Sequence, residues 1–259
     1  MKKFDCFKFF NEVELLHLRF MEYYEFVDYF VIVEATKSHT GKPRPLRYPD
    51  LKEKFKEFND KVIYVAVHDL PDYSINDIWK AENFQRNCIM RGLDGVAVPG
   101  DKIFISDCDE LWDTDVAQQN LFDNTWITFR EDLFYYYVNC KQNCTWDGPI
   151  MAPYGSFDCP QTLRNIGRGG FNFRYPGGWH YSFMGGAERI REKVENIAES
   201  HCIIDRVGAV DEIRQKMETA SDLWNRTDDY AKKSYVNITY KPKKLDEFLK
   251  MYPYFIKPL

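Results

Sequence analysis

Three short apolar runs recur in the first 110 residues: "YFVIVE" from Tyr29 to Glu34, "KVIYVAV" from Lys61 to Val67 and "DKIFIS" from Asp101 to Ser106. Each is too short and too rich in β-branched residues for a helix, and each is apolar nearly throughout, the pattern of a strand covered on both faces. The stretches between them read as helices. From Glu12 to Asp28 the residues Leu16, Phe20, Tyr23 and Val27 recur at spacings of three and four, which marks a helix with one buried face. A short charged helix is predicted near Asp50–Asn59 and another over Asn76–Gly92, while the three prolines of "TKSHTGKPRPLRYP" make a loop after Glu34. Strands alternating with helices predict an α/β chain with a mainly parallel central sheet flanked by helices on both faces. Ligands of such sheets bind beyond the carboxyl ends of the strands.

The second half has a different texture. "TWITFRE" and "LFYYYVN" are aromatic strands in close succession, Gly- and Pro-rich loops are expected over Asp147–Gly186, and helices are predicted near Ala187–Ser200, Ala209–Thr219 and Leu245–Tyr252. No repeat or linker divides the chain, so residues 1–259 are expected to form one domain, and the 44% hydrophobic content suffices for its core. A net charge of −5 offers no global positive field for nucleic acid or an anionic membrane. "MKKFDCFKFFNEVELL" lacks an uninterrupted apolar signal region and no long apolar run follows, so a soluble, cytoplasmic protein without a membrane span is expected. The seven cysteines, odd in number and scattered, are expected as free thiols.

Directly behind the third strand stands "FISDCDEL", with Asp107, Asp109 and Glu110 within four residues. Two aspartates one residue apart at a strand end can face one point if the chain turns there. Carboxylates buried that close repel each other unless neutralised, and a divalent ion that accepts oxygen ligands, Mn²⁺ or Mg²⁺, is the natural partner. A solvated acidic turn is the plain alternative.

Four collinear blocks carry a closer resemblance. "DCFKFFNEVELLHLRFMEYYEFVDYFVIVEATKSHTGKPRPL", "WKAENFQRNCI", "ISDCDEL" and "GGWHYSFMGG" together resemble glycosyltransferase family 17, the β-1,4-mannosyl-glycoprotein β-1,4-N-acetylglucosaminyltransferase family. The resemblance implies a GT-A fold with a nucleotide-binding half (1–110) and an acceptor-side half (111–259). It also implies a UDP-sugar donor, UDP-GlcNAc first among candidates, a divalent metal, a glycan or glycoconjugate acceptor and inversion at the anomeric carbon. The family commonly reads D-x-D-E-I-P where this chain reads D-C-D-E-L-W, so the acids are kept and the flanking turn is altered. Animal members carry a membrane anchor and stem that this sequence does not show, which points to a bacterial or viral origin.

On this resemblance Asp107 and Asp109 would bind the metal and, through it, the donor diphosphate, with His180 or His201 completing the ion's sphere. Glu110 is either a group supporting that site or an acid near the next helix start. Trp79, Glu82 and Arg86 share a helical face. Arg86 would reach the diphosphate or form a plain pair with Glu82. Asn11, Glu12, Glu34 and Lys42 would line the nucleotide side, with Glu34 accepting from uracil or ribose. Trp179 either stacks on a pyranose or fills the core. Glu188, at a predicted helix start, resembles the catalytic base of inverting GT-A enzymes, and Asp147 in "TWDGP" is the next acid to consider. Two other readings stay open: a non-catalytic nucleotide-sugar or glycan-binding protein on the same scaffold, and a HAD-type phosphatase using Asp107 as nucleophile.

Overall fold

The computed structural model describes residues 1–259. Ten strands form one sheet: β1 (Lys3–Lys8), β2 (Tyr29–Ala35), β3 (Val62–Val67), β4 (Lys102–Asp107), β5 (Glu110–Trp112), β6 (Ile127–Tyr136), β7 (Cys140–Pro153), β8 (Phe173–Arg174), β9 (Gly178–Met184) and β10 (Lys233–Tyr235). The helices are α1 (Val13–Tyr23), α2 (Tyr48–Leu51), α3 (Lys80–Asn87), α4 (Ile89–Leu93), α5 (Thr114–Asn120), α6 (Pro160–Arg168), α7 (Ala187–Asn196), α8 (Ser200–Val207), α9 (Val210–Thr219) and α10 (Leu245–Met251).

The strand order is β3-β2-β1-β4-β7-β6-β9-β5, with β10 beside β7 and β8 beside β6. Its first four strands are parallel, as the alternation of strand and helix requires. Beyond β4 the pairing turns antiparallel to β7, to β6 and between β9 and β5, while β6 and β9 are parallel. The sheet is therefore mixed, which corrects the expectation of a mainly parallel one. Three further differences have local causes. The N-terminal residues form the central strand β1, which Asp5 and Lys8 hid by interrupting its apolar pattern. The two aromatic strands expected around Asp132 are one strand, β6. The expected loop over Asp147–Gly186 holds the end of β7, helix α6 and strand β9.

Alternate residues of the central strands enter different cores. Phe30 and Ile32 of β2 and Phe104 of β4 face α1, whereas Val31, Val33, Ile103 and Ile105 pack towards α3, α4 and α6. Trp112 stacks on Tyr23 with centroids 4.0 Å apart and on Phe104 at 4.2 Å, and its burial ties β5 to the first core. The turn from β4 to β5 thus joins the middle of the sheet to the far end of its strand order, so the sheet curls back on itself at Asp107–Asp109. Gly178 pairs with Trp112 at that seam. Its φ is +149°, and an added Cβ would lie 2.2 Å from the Leu111 carbonyl oxygen. Gly178→Ala is expected to cost about 1–3 kcal/mol, the usual range for forced overpacking, read as a lower urea midpoint. An unchanged midpoint would show that the seam yields.

Candidate functional site

A cavity of about 750 Å³ opens at the carboxyl ends of β1, β2 and β4, where such sheets bind ligands. Lys8 ends β1, and Asp107 and Asp109 follow β4. The wall is completed by Trp79, Glu82 and Arg86 of α3, Arg164 and Arg168 of α6, His180 of β9, Lys193 of α7 and Glu199 just before α8. Seven lysines and arginines line it against six acidic side chains, so its lining is close to balanced in a chain of net charge −5.

The acid turn is held from beneath. Arg19 of α1 is fully buried and donates Nε to Asp5 Oδ2 at 2.6 Å and Nη2 to Asp5 Oδ1 at 2.5 Å. Its Nη1 donates to the carbonyls of Asp107 at 3.0 Å and Glu110 at 2.7 Å, so one guanidinium fixes the path of the turn. Glu110 points inward and is saturated: Arg164 bonds both its oxygens, at 2.7 and 2.5 Å, while the Asp107 amide and Trp146 Nε1 add 2.8 and 2.6 Å contacts. It supports the turn from behind the cavity wall.

The two aspartates on the cavity side are already paired. Asp107 accepts from Arg86 at 3.0 Å, with Lys8 and Arg164 each 3.4 Å away. Burial alone would raise its pKa, yet Lys8, Arg86 and Arg164 hold it well below the usual carboxylate range. Asp109 Oδ2 accepts from Lys193 at 2.7 Å, and the same ammonium lies 3.0 Å from Glu12. Against burial, Lys193 and then His180 lower the Asp109 pKa. Glu82 is held low likewise, Lys8 at 2.6 Å and Arg86 at 2.8 Å outweighing its burial.

This arrangement does not fit the expected divalent ion. The carboxylate oxygen of the pair without a hydrogen bond is Asp109 Oδ1, which faces His180 Nε2 at 3.7 Å. An ion there would sit beside the Lys193 ammonium on the other oxygen. Unit charges ~4 Å apart repel by about 4 kcal/mol at an effective dielectric of 20, and a divalent charge doubles that. The metal-ligating groups that do converge are Glu110, Glu131 and His180, with ligand atoms within 4.8 Å. Glu110 is consumed by Arg164. Burial, then the Glu110 charge, pushes the Glu131 carboxyl well above its ordinary range.

Of the residues expected from sequence, Glu12, Trp79, Arg86, Asp107, Asp109 and His180 line the cavity. The others stand elsewhere. Glu34 is fully buried and accepts from Arg44, the amides of Arg47 and Tyr48, and Tyr64 at 2.7–3.0 Å, so it organises the loop after β2 and has no oxygen free for a nucleotide. Asn11 donates to Glu192 at 2.8 Å, and Lys42 reaches only the Glu195 carbonyl, at 3.5 Å. Trp179 is core, its ring 4.5 Å from Tyr240 and its Nε1 on the Tyr240 carbonyl. His201 is exposed, between Tyr73 and Cys202. Glu188 is exposed on the outer face of α7 and pairs with Arg214. Asp147 pairs with Arg130 at 2.7 Å. All seven cysteines are unpaired.

Four further lining residues, Lys193, Glu199, Arg164 and Arg168, are not singled out by any sequence motif. The two arginines are four apart in "TLRNIGRGG", a spacing that puts both on one helical face. Arg168 has no carboxylate partner: it donates to the Asp147 carbonyl at 2.9 Å and lies 3.6 Å over Trp146. Glu199 is half-buried and its carboxylate has no hydrogen-bond or ion-pair partner. Burial, then the Glu82 charge, raises its pKa, which suits a carboxylate that must take a proton.

Residues 1–125 match the model of glycosyltransferase family 17. The chain is 32% identical over 108 residues to the human beta-1,4-mannosyl-glycoprotein 4-beta-N-acetylglucosaminyltransferase, covering 39% of this chain and 20% of that protein. With the protein of that name from Mus musculus the identity is 32% over 163 residues, 56% of this chain and 30% of the relative. The chain thus spans less than a third of these relatives. Among solved structures, HddC from Yersinia pseudotuberculosis aligns at 10% identity over 71% of this chain and 91% of its own, with a TM-score of 0.35, too slight a likeness to argue from.

Proposed function

We propose that this chain, whose residues 1–125 match the model of glycosyltransferase family 17 and which resembles N-acetylglucosaminyltransferases, is a glycosyltransferase of that family that transfers a sugar from a nucleotide-sugar to a hydroxyl of a glycan acceptor. UDP-GlcNAc is the first donor to test, on the relatives' names. The observation that carries the reading is the cavity at the carboxyl ends of β1, β2 and β4, with Arg168 and Lys193 in its lining, within a parallel sheet half that we read as GT-A type.

Arg168, which has no carboxylate partner, binds the diphosphate together with Lys193 and Arg86, and the half-exposed ring of Trp79 offers a face for the base or sugar. Glu199 acts as general base. It takes the acceptor hydroxyl proton as that oxygen attacks the anomeric carbon, and the bond from that carbon to the diphosphate breaks, releasing UDP with inversion. The ordinary weakness of a carboxylate base is offset by the raised pKa. No step here runs through a metal ion.

The test is a panel of nucleotide-sugars, each incubated with the protein and assayed for released nucleoside diphosphate. UDP release from one UDP-sugar, slow without an acceptor and faster with a glycan acceptor, is the expected result. Binding without turnover for every donor and acceptor would favour a sugar-binding protein on this scaffold. Hydrolysis of phosphate monoesters dependent on Asp107 would favour the phosphatase reading, although Asp107 is here tied to three cations.

A further inference from the structure

The Asp107–Asp109 turn carries its own counter-cations. Each ammonium or guanidinium at the two carboxylates is supplied by a different element: Lys8 by β1, Arg86 by α3, Arg164 by α6 and Lys193 by α7. Lys193 is the most telling. Its side chain is only 17% exposed, it bridges Asp109 and Glu12, and it lines the cavity. An ammonium has three donors, and two are used. The third is left for a ligand in the cavity. Arg168 of α6 adds a guanidinium with no carboxylate partner to the lining of the same cavity.

Resting on the nucleotide-sugar reading above, we propose that this chain holds the donor diphosphate through Lys193 and Arg168 without a divalent metal ion, the Lys193 ammonium on Asp109 supplying the positive charge that an ion would bring. The acids of the turn then serve to orient Lys193 and Arg86, and are not metal ligands. The arrangement follows from charge: a divalent ion supplies positive charge between carboxylate and phosphate, and here a fixed side chain already spans that gap.

The experiment is calorimetric titration of UDP into the full chain, in EDTA and in Mn²⁺. Equal affinity in both is expected for the wild type. Lys193→Ala is expected to weaken UDP binding in EDTA by ~10–100-fold, the worth of a charge-assisted hydrogen bond. Added Mn²⁺ should restore much of it, because the change uncovers the Asp109 and Glu12 carboxylates. Arg168→Ala should weaken binding without such rescue. Wild-type binding that needs Mn²⁺ would overturn this inference while leaving the donor reading intact, as would a folded Lys193→Ala protein that binds UDP normally in EDTA. Absence of UDP binding in both conditions would remove the donor reading, and this inference with it. If Lys193→Ala does not fold, the wild-type comparison decides alone.

Discussion

Arg19→Leu is expected to destabilise the protein by about 3–5 kcal/mol, the cost of removing one partner from a fully buried ion pair. Asp5 would be left charged beside Trp112 in the first core, and the carbonyls of Asp107 and Glu110 would lose their donor. In a chain of this size that lowers Tm by roughly 2–4 °C per kcal/mol. The paired change Asp5→Leu with Arg19→Leu should recover part of the loss, because no lone charge remains. Urea unfolding of the three proteins checks this. A single-variant loss below about 1 kcal/mol would mean that the pair is a bystander and that something else sets the turn.

Glu199→Gln is expected to lower kcat by ~10²–10⁴-fold, the usual contribution of a general base, with donor affinity little changed. The pH profile gives a second readout. A general base works only when deprotonated, so the rate falls as pH drops through its pKa. Burial and Glu82 raise that pKa, so the acid limb of the wild-type profile should lie above the ordinary glutamate range and vanish in the glutamine variant. Glu188→Gln is the matching control. Its carboxylate is exposed on Arg214, outside the cavity, and its substitution should leave kcat near normal. A Glu188→Gln enzyme crippled in kcat, with Glu199→Gln active, would restore the base suggested by helix position.

The parallel half of the sheet was legible because its strands are buried on both faces and so read as unbroken apolar runs. The strand β1 was not, since Asp5 sits in the core only by virtue of Arg19, a partner 14 residues away that no local pattern reveals. The antiparallel half hid in "CKQNCTWDGPIMAP", whose end falls in the loop expected over Asp147–Gly186 yet pairs with β4 and β6. At the site, the acids of "SDCDEL" and the Trp79–Arg86 helical face were readable from spacing alone. What those acids bind was not, because Lys8, Arg164 and Lys193 come from three distant segments and meet only through the fold. Glu188 drew attention by standing at a helix start. Glu199, eleven residues later in the same stretch, reaches the cavity because α7 ends at Asn196 and the chain turns back.

Whether the cavity holds a nucleoside diphosphate is decided by a crystal structure of the chain with UDP. Diphosphate oxygens are expected within hydrogen-bonding reach of Arg168 and Lys193, with the leaving oxygen open towards Glu199. UDP bound away from the carboxyl ends of β1, β2 and β4, with Lys193 still shielded from it, would contradict the claim.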